Sequence, residues 1–139
     1  MEYIITFALF TIKHYICDFP LQTERHLKKI TGNTIEQHYA LLDHSGIHAI
    51  GTMIAASVTV FWINDYPITA FVLVVIVAGL VDGVLHYMID LWKVESSKNL
   101  SPKDREFWLL LGQDQLFHSL VYVGLVAWVF LTINYGVLP

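Results

Sequence analysis

The sequence predicts an all-α fold: a four-helix transmembrane bundle running up-down-up-down, with both termini outside. Three observations carry this expectation. Of 139 residues, 55% are hydrophobic and only 14% charged, against roughly a quarter charged in an ordinary soluble domain. So small a chain cannot hide that much apolar surface in a soluble core, and lipid is its natural solvent. The apolar residues also gather into four runs, too long and too evenly apolar for strands or amphipathic surface helices. No composition shift divides the chain, which reads as one integral membrane domain over 1–139.

Each element has its own signals. The first run, over 3–19, is short for a span but close to the usual ~17–25 residues, and Pro20 stops it. It lacks the basic start and small-residue cleavage site of a signal peptide, so it is expected to stay as a mature helix. Leu21 to Gly32 is a polar connector carrying Arg25, Lys28 and Lys29. Thr34 with Gln37 forms a capping-box pattern ahead of a helix over 35–63. Asn64-Asp65-Tyr66 predicts a tight turn, and Pro67 suits the first turn of a helix over 67–94. Gly79 and Gly83, four residues apart, predict close approach of a neighbouring backbone. Ser101-Pro102 signals the start of a helix over 102–134, with Gly136 as its C-cap.

The basic residues predict orientation. Arg25, Lys28 and Lys29 lie in the first connector, and Lys93, Lys98, Lys103 and Arg105 flank the third. By the positive-inside rule those connectors face the cytoplasm. The expected location is a bacterial inner (plasma) membrane, crossed several times. A net charge of -4 gives no nucleic-acid footprint. Cys17 is the only cysteine, which rules out an intrachain disulfide and argues against a thiolate zinc site.

Ionisable residues recur at four-residue spacing inside the apolar runs: His14 with Asp18, His44 with His48, Asp82 with His86 and Asp90, and Asp114 with His118. Residues four apart lie only ~40° apart around a helix, so each set shares one face. With the predicted orientation, all four sets reach one depth near the cytoplasmic side. Charges inside a membrane are costly and mark function. Imidazole with carboxylate suits zinc, manganese or iron, and two ligands at i and i+4 can reach one ion. Eight candidate ligands (His14, Asp18, His44, His48, His86, Asp90, Asp114 and His118) exceed what one tetrahedral ion needs, so one or two divalent transition-metal ions are expected. The plainer alternative is that each pair satisfies itself by hydrogen bonding. Asp82 sits deepest and is expected to support a ligand histidine. His26 is expected to be solvated and His38 to lie at the interface.

Taken together, His14-Tyr-Ile-Cys-Asp18-Phe-Pro-Leu-Gln22, Leu42-Asp-His44-Ser-Gly-Ile-His48, His86-Tyr-Met-Ile-Asp90-Leu-Trp-Lys93 and Asp114-Gln115-Leu-Phe-His118 resemble a bacterial and phage family of small membrane proteins, domain of unknown function 3307. The resemblance adds Gln22, Lys93 and Gln115 to the signature positions, as support or substrate contacts, and leaves Asp82 outside them. In style the pattern is similar to membrane-bound metal-dependent hydrolases.

The expected function is a metal-dependent hydrolase acting on a lipid or polyprenyl phosphate or ester at the cytoplasmic leaflet. Asp18, Asp90 and Asp114 are the catalytic candidates, one of them serving as general base. The bilayer and a lipid phosphate are the expected partners, together with a second copy or another protein. The alternative is a non-enzymatic membrane subunit, or a phage-type protein binding a host factor, with a structural metal or haem site. A proton or ion path is disfavoured because the charges stop halfway across.

Overall fold

The computed structural model describes residues 1–31, 34–63 and 67–135. Its element order is α1 (Glu2–Asp18), α2 (Glu24–Thr31), α3 (Thr34–Ile63), α4 (Ile68–Ser96) and α5 (Arg105–Tyr135), with no strand among the described residues. The predicted Asn64-Asp65-Tyr66 turn, Gly32 and the Gly136 cap lie outside the described residues.

The all-α class stands, but four membrane spans do not. Three helices, α3, α4 and α5, are long and apolar enough to cross a bilayer. At 17 residues, α1 reaches only about 26 Å at 1.5 Å per residue, short of the ~30 Å hydrocarbon core. Its limit is set where expected: Asp18 is its last residue, and Pro20 cannot continue the ladder. The first connector is not all loop either. Its second half is the eight-residue helix α2, five helices in place of four.

Neighbouring helices pack as α1 on α3 and α5, α3 on α4, α4 on α5, and α2 on α3. At one end the packing is dry. Phe10, Ala55, Ala56, Val75, Ala78, Tyr122, Leu125, Val126 and Phe130 form a buried apolar cluster, and Tyr3 stacks on Phe130 at 3.9 Å. Burying such side chains contributes ~1.5–3 kcal/mol each against water, but lipid is equally apolar, so here the gain comes from close packing. Most of the remaining apolar side chains, among them Ile54, Phe61, Trp62, Val84 and Leu109, point outward.

The glycines do what their spacing predicts. A Cβ on Gly79 would stand 2.8 Å from the Ala49 carbonyl oxygen, and one on Gly83 would stand 3.0 Å from Ala49 Cβ. Only glycine lets α4 lie this close to α3. That approach carries Asp82, His86 and Asp90 against α3.

One helix start differs from expectation, and one expected capping side chain is engaged elsewhere. Helix α5 begins at Arg105 rather than 102. The Ser101 amide and hydroxyl both donate to Asp104 Oδ2, at 2.7 and 2.9 Å, which ties 101–104 into a turn just ahead of the helix. Those two donors hold the Asp104 carboxyl below the usual carboxylate range. Gln37 reaches across to α4, where its Nε2 donates to Glu95 Oε1 at 2.7 Å.

Candidate metal centre

At the end opposite the dry cluster, four helices direct polar side chains inward. Helix α1 supplies His14 and Asp18, α3 supplies His44 and His48, α4 supplies His86 and Asp90, and α5 supplies Asp114 and His118. All but Asp18 are buried. The four-residue spacing works as expected, since each pair occupies successive turns of one helix face.

The eight residues meet. Asp18 Oδ1 accepts from both His44 Nε2 and His48 Nε2, each at 3.1 Å. His14 Nε2 lies 3.0 Å from Asp18 Oδ2 but lacks the alignment a hydrogen bond requires. Asp90 Oδ1 faces His86 Nε2 at 3.8 Å and His118 Nε2 at 3.6 Å. Asp114 Oδ1 is 3.5 Å from His118 Nε2. The His86 ring lies between those of His48 and His118, with centroids 3.5 and 4.1 Å away.

Three overlapping groups bring their ligand atoms within 4.8 Å of one another: Asp18 with His44, His48 and His86; His14 with His86 and His118; Asp90 with Asp114 and His118. His86 belongs to two of them and is 1% exposed, yet neither of its ring nitrogens has a hydrogen-bond partner. His44 Nδ1 and Asp114 Oδ1 are also buried without a partner. Buried polar atoms are normally satisfied. Five such atoms in one cluster, counting His14 Nε2, match what a cation-binding chamber leaves open. The residues fit a divalent transition metal by ligand type and by spacing.

The support residues fall differently. Asp82 touches no histidine directly. It accepts from Lys13 Nζ and from Thr52 Oγ1, both at 2.6 Å. Lys13 in turn faces His48 Nδ1 at 3.4 Å and the Tyr122 ring at 4.9 Å. Tyr122 OH shares a 2.7 Å hydrogen bond with His14 Nδ1. Gln115 is exposed, but its Nε2 donates to Asp114 Oδ2 at 3.1 Å. Gln22 and Lys93 are half-buried and have no side-chain partner among the described residues.

Several members escaped the sequence reading. Lys29 counts in the sequence only as one of the connector charges that set orientation. It is buried, with Nζ 2.6 Å from Asp90 Oδ2. His26, expected in solvent, is buried on the same inner face of α2. The Thr23 amide donates to His26 Nδ1, so Nε2 carries the hydrogen and donates to Asp43 at 3.1 Å. His38 is half-buried, and its Nδ1 pairs with Tyr87 OH at 2.7 Å. The only available signal was a shortfall of charge. Buried carboxylates at one depth need cations there, and Lys13 and Lys29 were the nearest unassigned ones.

A family profile matches residues 6–137, that of "Protein of unknown function (DUF3307)". The chain belongs to this family. The match reaches all five helices, beginning at the fifth residue of α1, so the family covers the whole polar cluster rather than one segment of it. No curated protein and no solved structure matches the chain.

Proposed function

We propose that the cluster is a transition-metal centre and that the protein is a metal-dependent hydrolase of the membrane, acting on a lipid or polyprenyl phosphate or ester. The observation that carries this reading is His86: a fully buried imidazole with two unpartnered nitrogens, shared by two ligand groups. Self-satisfied histidine–aspartate pairs would leave no such atom. The apolar outer surface of the three long helices supports a substrate delivered from the bilayer.

In this reading His14, His44, His48, His86 and His118 hold one or two divalent ions with Asp18, Asp90 and Asp114. A bound divalent ion acts as a Lewis acid toward a phosphoryl or carbonyl oxygen and makes water a better nucleophile. Of the three carboxylates, Asp18 is the most open, at 16% exposure against 7% and 3% for Asp90 and Asp114, so the substrate head approaches there. Asp90 is tied to Lys29. Asp114 keeps Oδ1 free of hydrogen bonds and is the candidate general base, with Gln115 fixing its other oxygen. The basic residues Arg25, Lys28, Lys98 and Lys103 support a mouth at the cytoplasmic leaflet of a bacterial inner membrane.

The test is elemental analysis of protein purified in detergent. Wild type is expected to carry zinc, manganese or iron and His86→Ala to lose most of it, with loss of phosphate or ester release from lipid substrates. Wild type that contains no metal and takes none up on titration would sink the reading.

A second reading, a non-enzymatic subunit with a structural metal, is favoured by the near-complete enclosure of His44, His48 and His86. It predicts metal without turnover. Haem fits poorly, because imidazoles stacked 3.5–4.1 Å apart leave no slot for a porphyrin between them.

A further inference from the structure

We infer that the centre takes a single divalent ion, because Lys29 already supplies the other cation. The inference rests on the metal reading above and fixes what that reading left open, the ion count and the residue that sets it.

Charge in the enclosed volume is the starting point. Asp18, Asp90 and Asp114 bring three negative charges. The deeper Asp82 is matched by Lys13 at 2.6 Å, so that pair is neutral. Asp43 lies outside, shared by Arg25 and His26. Among the described residues one further cation enters the chamber: Lys29 from α2, 2.6 Å from Asp90 Oδ2. Ligand histidines must be neutral to bind metal. Three carboxylates against one ammonium leave a formal charge of −2. One divalent ion brings this to zero, and a second would leave +2 buried at low dielectric, which is strongly unfavourable.

The geometry assigns the two cations to different places. Asp18, His44, His48 and His86 supply four ligand atoms within 4.8 Å of one another: three buried imidazoles that can hold one ion, and Asp18, the partly exposed member, on the side where water or substrate would reach it. The group Asp90, Asp114 and His118 has three, and Lys29 already occupies one oxygen of its central carboxylate. Any ion bound to Asp90 would have that ammonium as its neighbour on the same group. Lys29 therefore stands in for a second metal, carried on a helix that packs against α3.

The experiment is zinc titration of chelator-stripped protein in detergent, counting ions retained after gel filtration. Wild type and Lys29→Arg are expected to hold one zinc. Lys29→Met, with a chamber charge of −3, is expected to hold a second. Lys29→Met/Asp90→Asn returns the charge to −2 and is expected to hold one again; because both members of the Lys29–Asp90 pair are removed together, it keeps the test open should Lys29→Met fail to fold. Asp90→Asn alone is expected to bind zinc at least tenfold more weakly. Two zinc ions in wild type, or two in Lys29→Met/Asp90→Asn, would overturn the inference while leaving the metal reading standing. So would one zinc of unchanged affinity in Lys29→Met. No zinc in any variant would overturn both.

Discussion

At the residue scale, the least expected feature is the Lys13–Asp82 pair. Both groups are buried, and Thr52 completes the carboxylate's bonding. Removing one partner of such a pair strands the other charge, at a cost of about 3–5 kcal/mol, whereas replacing both with apolar side chains is often neutral. Lys13→Met is therefore expected to lower stability by that amount, and Lys13→Met/Asp82→Leu to recover most of it, read from unfolding of the protein in mixed micelles. Recovery with unchanged metal affinity would confine the pair to a structural role. Reduced affinity in the stable double variant would mean that Lys13 also orients His48. The eight histidines and aspartates of the centre were legible because membrane-length runs make each ionisable residue conspicuous. Their counter-charges were not. Which helix supplies the cation for Asp82 depends on helix neighbours, and Lys29 stood in a stretch where charge is ordinary.

At the element scale, spacing and punctuation read well and helix starts read poorly. Pro20 and the Gly79/Gly83 step behave as their chemistry dictates. Gly79→Ala is expected to push α3 and α4 apart at the Ala49 carbonyl and to cost about 1–3 kcal/mol, as overpacking typically does. Gly124 serves as the control. Nothing lies within 4 Å of a Cβ placed there, so Gly124→Ala should be neutral or stabilising by up to about 1 kcal/mol through helix propensity. Equal effects at the two glycines would contradict the close-approach account. The start of α5 was misplaced because Ser101 spends its amide and hydroxyl on Asp104 instead of capping a helix at 102. Since folding lowers the Asp104 pKa, its contribution is present above the unfolded carboxylate range and is lost as pH falls through the lowered folded value. Amide protection in the first turn of α5, taken relative to the intrinsic exchange rate at each pH, should accordingly fall in acid. In Asp104→Asn the protection should be lower at neutral pH and nearly insensitive to acid.

At the scale of the whole molecule, the division into a dry end and a polar end was visible from the sequence, because every ionisable set falls in the corresponding half of its run. The number of spans was not, since a run cut off by Pro20 at 17 helical residues sits on the border of what crosses a bilayer. Labelling from outside the cell checks the orientation. Cys17 is buried, so introduced thiols report cleanly. Trp62→Cys, at the far end of α3, is expected to react with an impermeant maleimide in intact spheroplasts and Lys98→Cys, after α4, only after permeabilisation; the reverse pattern would invert the bundle. The i, i+4 spacing that builds the centre also bears on biogenesis. A helix that enters the bilayer ahead of its neighbours has none of them to neutralise its charges. His14 with Asp18, His86 with Asp90 and His118 with Asp114 lie 3.0, 3.8 and 3.5 Å apart within single helices. A rotamer change within one helix is enough to close each of these pairs into a hydrogen bond, so a segment can satisfy its own polar groups while alone and give up those bonds for shared contacts once the bundle closes.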